Sequence, residues 1–445
     1  MKQIAIFSPN YSPELGACAS RIQHLAERLQ KEGNQVTVYT TFPNYPTGNI
    51  FSDYRNLLSK KIIHRENING IKVIRFSFYP SNSSSSFVRL FSMLTLALSW
   101  FFAFPSLKKQ HPSIILVQSP PLLPVFTVWI LSQLIKLNTQ KGYSPSLILN
   151  LSDLYPRVLL DLGRINLDKI KGHTIYNLLL NFEAFIYKKM DFIIGQSDEI
   201  VDYVKEIVPS MPVFLYRNGV YSQSFKVKED YKIKGREPIK LVYAGLLGVA
   251  QGILEVIENI DFEKVNAQLH LYGNGNERDL IEKFIQTKFL NTGKKQTVFL
   301  YDAIPSKEIA QKLADYDAAI IIQKKQILGT VPSKIYEAMA AGLPILLFGS
   351  GESAYLIKKY NLGITISTQT SNISLSSFEH LFVDTRTLED KMKSIADKMV
   401  IEFKIQHLKK LSSKERQIFG ENGRRAAQYS FDKEVQFKNI KELFD

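Results

Sequence analysis

The stretch Thr330-Val331-Pro332-Ser333-Lys334-Ile335-Tyr336-Glu337-Ala338-Met339-Ala340-Ala341-Gly342-Leu343-Pro344 decides how this chain is read. Pro332 and Ser333 stand where a helix begins, and Gly342 with Pro344 stands where it ends. Backbone N–H groups in a first helical turn have no intrahelical partners, and the helix dipole favours an anion in front of them. Lys334 adds a full positive charge. Glu337 lies one turn further on, where a carboxylate can accept hydrogen bonds from a ribose diol. The segment reads as a seat for a doubly charged phosphate; standing alone, a capped helix with an exposed Lys and Glu is the commoner case.

Outward from this segment, strand-like and helical runs alternate. The N-terminal series is Gln3–Ser8, helix Ala19–Lys31, Gln35–Thr41, Ile71–Phe78, helix Phe87–Leu107, Ile114–Gln118, helix Leu122–Leu137, Ser146–Leu151, helix Thr174–Lys189, Asp191–Gln196, helix Glu199–Ile207 and Val213–Tyr216. A lysine-rich stretch, Lys226–Pro238, interrupts the series, which resumes at Ile239–Gly245 and runs to a helix over Glu352–Tyr360. Such alternation predicts parallel sheets covered on both faces, and 445 residues exceed what one core organises. The fold class expected is α/β, with two doubly wound domains facing a central cleft. Expected bounds are 1–222, 237–425, and a C-terminal helix over 426–445 returning to the first domain. Ser367–Ser377 reads as a surface loop, and Asp384–Phe444 as helices on a domain surface.

The net charge is +14, of which residues 1–221 carry +9 (23 basic against 14 acidic). With no nucleic-acid motif beside it, the basic surface points to an anionic membrane. Phe87–Leu107 is apolar over about the length of a membrane span, closed by Lys108 and Lys109, and Leu122–Leu137 is a shorter apolar run. Docking on a membrane and burial as a core helix are both open readings. One cysteine, Cys18, excludes a disulfide framework, and the seven histidines lie too far apart for a local metal site. No signal peptide is recognisable, so a cytoplasmic setting is expected.

Three loops after strand ends carry candidate chemistry. In Ser8 to Ala17, Gly16 precedes a helix whose first turn holds Arg21, against the dipole, so that either an anionic partner or Glu14 would relieve it. Phe42-Pro43-Asn44-Tyr45-Pro46 is a stiff aromatic turn. Asp153, after Ser146–Leu151, faces an acceptor hydroxyl or caps a helix over Leu154–Leu162. Gly273-Asn274-Gly275 lacks the third glycine of a dinucleotide fingerprint, and Asp315-Tyr316-Asp317 reads as capping and sheet packing rather than a metal pair.

Together these pieces resemble the retaining GT-B glycosyltransferases of the glycogen-synthase-like and mannosyltransferase family, in the branch similar to O-antigen and capsule N-acetyl-fucosamine transferases. The residues that carry the resemblance are Tyr11 to Ala17 with Ser20-Arg21, Phe42 to Gly48, Ser119-Pro120-Pro121-Leu122, Asp153-Leu154-Tyr155-Pro156, Asn218-Gly219-Val220, Tyr243-Ala244-Gly245, Leu247-Gly248, Ala250-Gln251-Gly252, and Pro332-Ser333-Lys334 through Pro344. The resemblance implies two Rossmann-like domains, a UDP-sugar donor and a polyprenyl-diphosphate-linked saccharide acceptor at the inner membrane face, with no cofactor or metal. It implies donor binding by Gly16, Gln251, Thr330, Ser333, Lys334 and Glu337, acceptor binding by Arg21, Asn44 and Tyr45, and catalytic roles for Asp153 and Lys334. Four family positions depart: the customary Arg and Lys are Leu246 and Gln251, the earlier carboxylate of a glutamate pair is Gly329, and Tyr221 replaces an Asp. Lys334, with Lys324 or Lys325, would replace the lost cations, and Gly329 would suit a deoxy or N-acetylated sugar. A sugar-nucleotide epimerase of the same architecture and a catalytically silent membrane-bound subunit of a polysaccharide assembly complex are the rival readings.

Overall fold

The computed structural model describes residues 1–445 except 15, 59–60, 84, 140–141, 166, 168–169, 250, 324–325 and 367–394. Leu15, Ala250, the candidate cations Lys324 and Lys325, the loop Ser367–Ser377 and the start of the helical region at Asp384 lie outside the described residues. The chain divides into two compact units, Met1–Asn218 with Gln436–Asp445, and Gly219–Val435.

The first unit is built on an eight-stranded sheet: β1 Gln3–Phe7, β2 Gln35–Thr41, β3 Ile63–Ile68, β4 Ile71–Phe76, β5 Ile114–Ser119, β6 Ser146–Leu151, β7 Phe192–Gly195 and β8 Val213–Leu215, in the order β3-β4-β2-β1-β5-β6-β7-β8. Ile4, Ala5, Ile6 and Phe7 are all buried, as a parallel strand covered on both faces requires. Only β3 runs antiparallel, paired to β4 with Ile63 opposite Phe76. Sequence reasoning misses β3 because its run, IHRENI, is polar on an edge; the Asn69-Gly70 turn between it and β4 is the available signal. The apolar run expected as one helix over Phe87–Leu107 is three pieces, Ser86–Trp100, a 3-10 turn Phe101–Ala103, and Phe104–Gln110. Pro105 sits in the first turn of the last piece, the one helical place that tolerates its missing N–H.

The second unit holds an all-parallel sheet of β9 Ile239–Ala244, β10 Ala267–Tyr272, β11 Val298–Tyr301, β12 Ala318–Ile322, β13 Ile345–Phe348 and β14 Gly363–Ile366, ordered β11-β10-β9-β12-β13-β14. The stretch read as an interruption is packed onto this unit: Lys226 N–H donates to Ala310 O (3.1 Å), Lys228 N–H to Ala341 O (2.9 Å), and Tyr231 Oη to Gly342 O (2.8 Å). The C-terminal boundary also moves. Ala426, Ala427 and Phe431 are buried in the second core, with Phe431 against Tyr336 and Tyr360, so residues before Gln436 stay with that unit. Beyond it, Phe437, Ile440 and Phe444 join the first core, and Lys441 pairs with Glu32 at 2.6 Å.

In the first unit the helix Ile170–Tyr187 is tied to the helix Asp198–Ile207 by Glu183, fully buried, which accepts from Tyr187 Oη (2.6 Å) and Tyr203 Oη (2.9 Å). Burial pushes its carboxyl up to about 7, and the two hydroxyls restrain the rise. A folded-state value raised above the unfolded 4.5 means that the unfolded chain ionises first, so this contribution to stability is present below about 4.5 and is lost as pH climbs towards 7. Glu183→Gln is expected to remove that slope, lessening the loss of stability between pH 5 and pH 8 by about 3 kcal/mol in denaturant titrations.

Candidate active site

In the second unit the chain crosses over between the adjacent strands β9 and β12, and ligands of such sheets bind beyond the carboxyl ends at this crossing. The helix Ser333–Ala341 starts there. Its first turn has no side-chain cap and no acidic residue; Ile335 N–H donates to Pro332 O (3.1 Å), and the N–H groups of Ser333 and Lys334 are the ones that face an anion in front of the helix. Lys334 reaches from that turn across β9, its Nζ 5.2 Å from the centre of the Tyr243 ring. A Cβ on Gly245 would lie 2.1 Å from Lys334 Cε and 2.5 Å from Nζ, so Lys334 can lie there only while residue 245 has no side chain, and φ 153° at Gly245 independently favours glycine. Tyr243 Oη donates to Leu246 O (2.8 Å), fixing the turn over which Lys334 lies.

This turn is braced from β10. Gly245 N–H donates to Tyr272 O (2.8 Å), Leu247 N–H to Asn274 O (3.0 Å), and Glu277 N–H to Leu247 O (3.1 Å). Gly273 and Gly275 serve that close approach, since a Cβ on either would strike Gly245 O or Leu247 O at 1.9 and 2.0 Å. The Gly-Asn-Gly segment is thus loop packing, not a dinucleotide cradle. Gln251 turns its amide under the same loop, and its Oε1 is buried without a hydrogen bond among the described residues. Leu246 is 47% exposed.

Ser333, Lys334 and Glu337 come together: Ser333 Oγ lies 3.4 Å from Glu337 Oε1. Burial lowers the Lys334 ammonium below the usual lysine range, opposed by Glu337. Burial raises the Glu337 carboxyl, opposed by Lys334, Ser333 and Lys433. Lys433, which sequence reasoning missed, stacks at 4.6 Å over Tyr221, the residue standing where the family pattern has Asp. Thr330 closes a turn, donating its N–H to Ile327 O (3.1 Å). Asp315 and Asp317 pair with Lys226 (3.1 Å) and Lys228 (3.7 Å).

In the first unit the loops after β1 and β2 are locked together by a buried carboxylate. Glu14, 4% exposed, accepts the backbone N–H of Asn44 and of Tyr45 (2.8 Å each), that of Tyr11 (3.1 Å) and Asn10 Nδ2 (3.2 Å). From below, the fully buried Arg75 donates to Thr41 O (2.9 Å), to Ser12 O and to Glu66, and stacks on Tyr54 at 5.1 Å. Tyr45, 44% exposed, lies over Gly16, where a Cβ would stand 3.1 Å from its Cε1. Asn44 turns its amide inward to Phe42 O (3.0 Å). Cys18, in the first turn of the helix Ala17–Lys31, feels Asp153 as well as Glu14; burial above all pushes its thiol up to about 12, both carboxylates adding to the rise. Asp153 is not the N-cap of a helix over Leu154–Leu162, because the helix observed there is Arg157–Asp161, capped at Pro156.

Arg21 departs from the acceptor role expected of it. It is 2% exposed and is consumed by Asn150 Oδ1 (2.6 Å from Nη2, 3.2 Å from Nε), by Tyr216 O, and by the Tyr216 ring 4.3 Å away. Asn150 in turn donates to Gln118, which donates to Ser152 Oγ (2.7 Å), so the cation anchors the strand end that carries Asp153. A buried carbonyl-and-amide nest satisfies the charge that the helix dipole leaves exposed.

Residues 225–399 match the family described as Glycosyl transferases group 1. The chain is 24% identical over 351 residues to WcaI of Escherichia coli (strain K12), named for glycosyl transfer in colanic acid biosynthesis, covering 76% of this chain and 81% of that one. Among solved structures it resembles Anabaena HepE in complex with UDP-glucose, with a TM-score of 0.58 at 12% identity over 100% of this chain and 99% of that one. It also resembles WaaG, a glycosyltransferase involved in lipopolysaccharide biosynthesis, with a TM-score of 0.57 at 14% identity over 98% and 99%. The fold is α/β of the GT-B type.

Because four donors converge on the Glu14 carboxylate, Glu14→Ala is expected to cost about 2–4 kcal/mol of stability, the range for stranding buried donors. Hydrogen exchange should show the loss confined first to the Asn44 and Tyr45 amides.

Proposed function

We propose that the chain is a retaining glycosyltransferase that moves a sugar from a UDP-sugar to a lipid-diphosphate-linked saccharide, in O-antigen or capsule biosynthesis, on the cytoplasmic face of the membrane. The observation that carries this reading is the Lys334 ammonium laid over Gly245 at the uncapped start of the helix Ser333–Ala341. The family match over 225–399, the WcaI relative and the UDP-bound HepE structure support it.

In this reading the helix start and Lys334 bind the donor diphosphate, Ser333 and Thr330 border it, and Glu337 accepts from the ribose hydroxyls. The bond between the anomeric carbon and the diphosphate oxygen breaks, leaving positive character on the sugar and charge on UDP. Preorganised donors stabilise that charge without reorganising. The acceptor hydroxyl attacks from the same face, its proton passes to a departing phosphate oxygen, and Asp153 holds the hydroxyl. Gly329 offers no carboxylate to a sugar hydroxyl, which suits a deoxy or N-acetylated hexosamine; a donor panel in which only fully hydroxylated hexoses react would refute that preference.

Membrane association is supported by a solvent-facing apolar stripe on the helix Ser86–Trp100, where Phe87, Leu90, Phe91, Leu94 and Leu98 are all exposed at helical spacing. Only a third of the most apolar 18-residue window within Ser86–Gln110 is buried, and Lys108 and Lys109 lie at the end of that stretch.

Mass spectrometry of products from a UDP-sugar panel with a short lipid-diphosphate acceptor tests the activity. UDP release that depends on acceptor supports transfer. Donor isomerisation without acceptor would identify an epimerase, and binding without release a silent subunit, the rival that exposed Leu246 and the neutral Gln251 favour. Lys334→Ala should lower kcat by about a hundredfold to a thousandfold with unchanged thermal stability. Gly245→Ala should displace the same ammonium and act in the same direction. UDP affinity should weaken as pH rises into alkaline values below the ordinary lysine range, and Lys334→Ala should abolish that dependence.

A further inference from the structure

The covering of the first sheet is incomplete under the broken helix. On one face of the β3–β4 edge, Ile74 and Phe76 point toward the 3-10 turn Phe101–Ala103, and the antiparallel partner residues Ile63 and Arg65 extend the same face. The break spreads three aromatic rings, Phe101, Phe102 and Phe104, around a space of about 350 Å³ that no side chain fills. Ile74 and Phe76 form its buried floor, whereas Phe102 at its mouth is 56% exposed. Arg65 is the one charged residue in the lining; it is exposed and makes no ion pair or hydrogen bond with the described residues.

The position of this cavity links it to two surfaces already described. Phe76 pairs with Thr41, the residue from which the loop bearing Asn44 and Tyr45 departs, so the cavity wall stands one strand spacing, about 4.8 Å, from the start of that loop. Phe102 follows on from the exposed stripe Phe87 to Leu98 along the same broken helix. An apolar space that opens beside an apolar exterior and carries a single unpaired guanidinium is complementary to a hydrocarbon chain attached to an anion.

We propose that this cavity takes the first isoprenoid units of the acceptor's lipid tail and that Arg65 faces the diphosphate to which they are attached. The inference rests on the acceptor class proposed above. Tail recognition here would make the first unit select the lipid carrier as well as the saccharide, since each buried methylene contributes to affinity.

The test uses the full chain with acceptors that share one saccharide-diphosphate head and carry either a short linear alkyl tail or an isoprenoid tail. The isoprenoid should lower KM by about tenfold or more. Ile63→Trp, at a half-exposed edge position, fills the cavity and should reduce that advantage to about twofold or less, leaving kcat and the short-tail KM unchanged. Arg65→Ala should raise KM for both tails. A photoreactive isoprenyl diphosphate without saccharide should label the segment Phe101–Ser106 in the parent and fail to do so in Ile63→Trp. An isoprenoid advantage that survives Ile63→Trp overturns the proposal. So does labelling abolished by phosphatidylglycerol vesicles, which would make a bilayer phospholipid the occupant. Because labelling needs no turnover, label lost in Ile63→Trp without any transfer would support the cavity while removing the transferase reading. Transfer without labelling would remove the cavity alone.

Discussion

A single lysine ammonium drawn across the backbone of a strand end is the constraint on which the second unit's chemistry depends. Lys334 can lie where it does only because residue 245 has no side chain, and residue 245 holds its turn only because β10 supplies Tyr272 O and Asn274 O to the loop. That brace in turn demands glycine at 273 and 275. One electrostatic placement thereby fixes three glycines and the phenol of Tyr243. Mutating any of them changes the position of a charge rather than its presence.

The first unit holds the loops after β1 and β2 and the end of β6 still with buried charges. Glu14 gathers backbone donors from two loops, Arg75 gathers carbonyls from the same two, and Arg21 fastens the end of β6 through Asn150. Each buried charge is balanced by several hydrogen bonds, which is the condition for burying it at all. Tyr45 is the exposed group that this arrangement leaves at the loops, lying above Gly16.

Much of this was legible in the sequence, for identifiable reasons. Strands such as IAIF and AAIII are continuous apolar runs, as a doubly covered parallel sheet requires, and the bounds of the helix Ser333–Ala341 are written in Pro332, Ser333 and Gly342. The edge strand β3 was illegible because its residues are polar and its evidence is the turn that follows. Of the two partners open to Arg21, an external anion or Glu14, neither is the one seen: nothing local reveals that Asn150 and Tyr216, more than a hundred residues away, consume it. Lys433 was invisible for the same reason, since it reaches Glu337 from the far end of the second unit's sequence.

In the proposed reading, the two positions where the resembled family carries cations bear on how a donor diphosphate is stabilised with fewer charges. Leu246 and Gln251 remove formal charge from the loop after β9, yet the remaining Lys334 is partly desolvated, as the lowering of its pKa by burial shows. In a medium of lower effective dielectric one ammonium interacts with a phosphate several times more strongly than an exposed one does. The cost is that a dry lysine is easier to deprotonate, and here Glu337 offsets that cost by raising the same pKa, while Lys334, Ser333 and Lys433 oppose the rise that burial imposes on Glu337. Serine, lysine, glutamate and the distant lysine therefore form one charge balance. A site built in this way trades the redundancy of several exposed cations for dependence on a single one, so restoring charge at 246 or 251 would add attraction without replacing what Lys334 supplies.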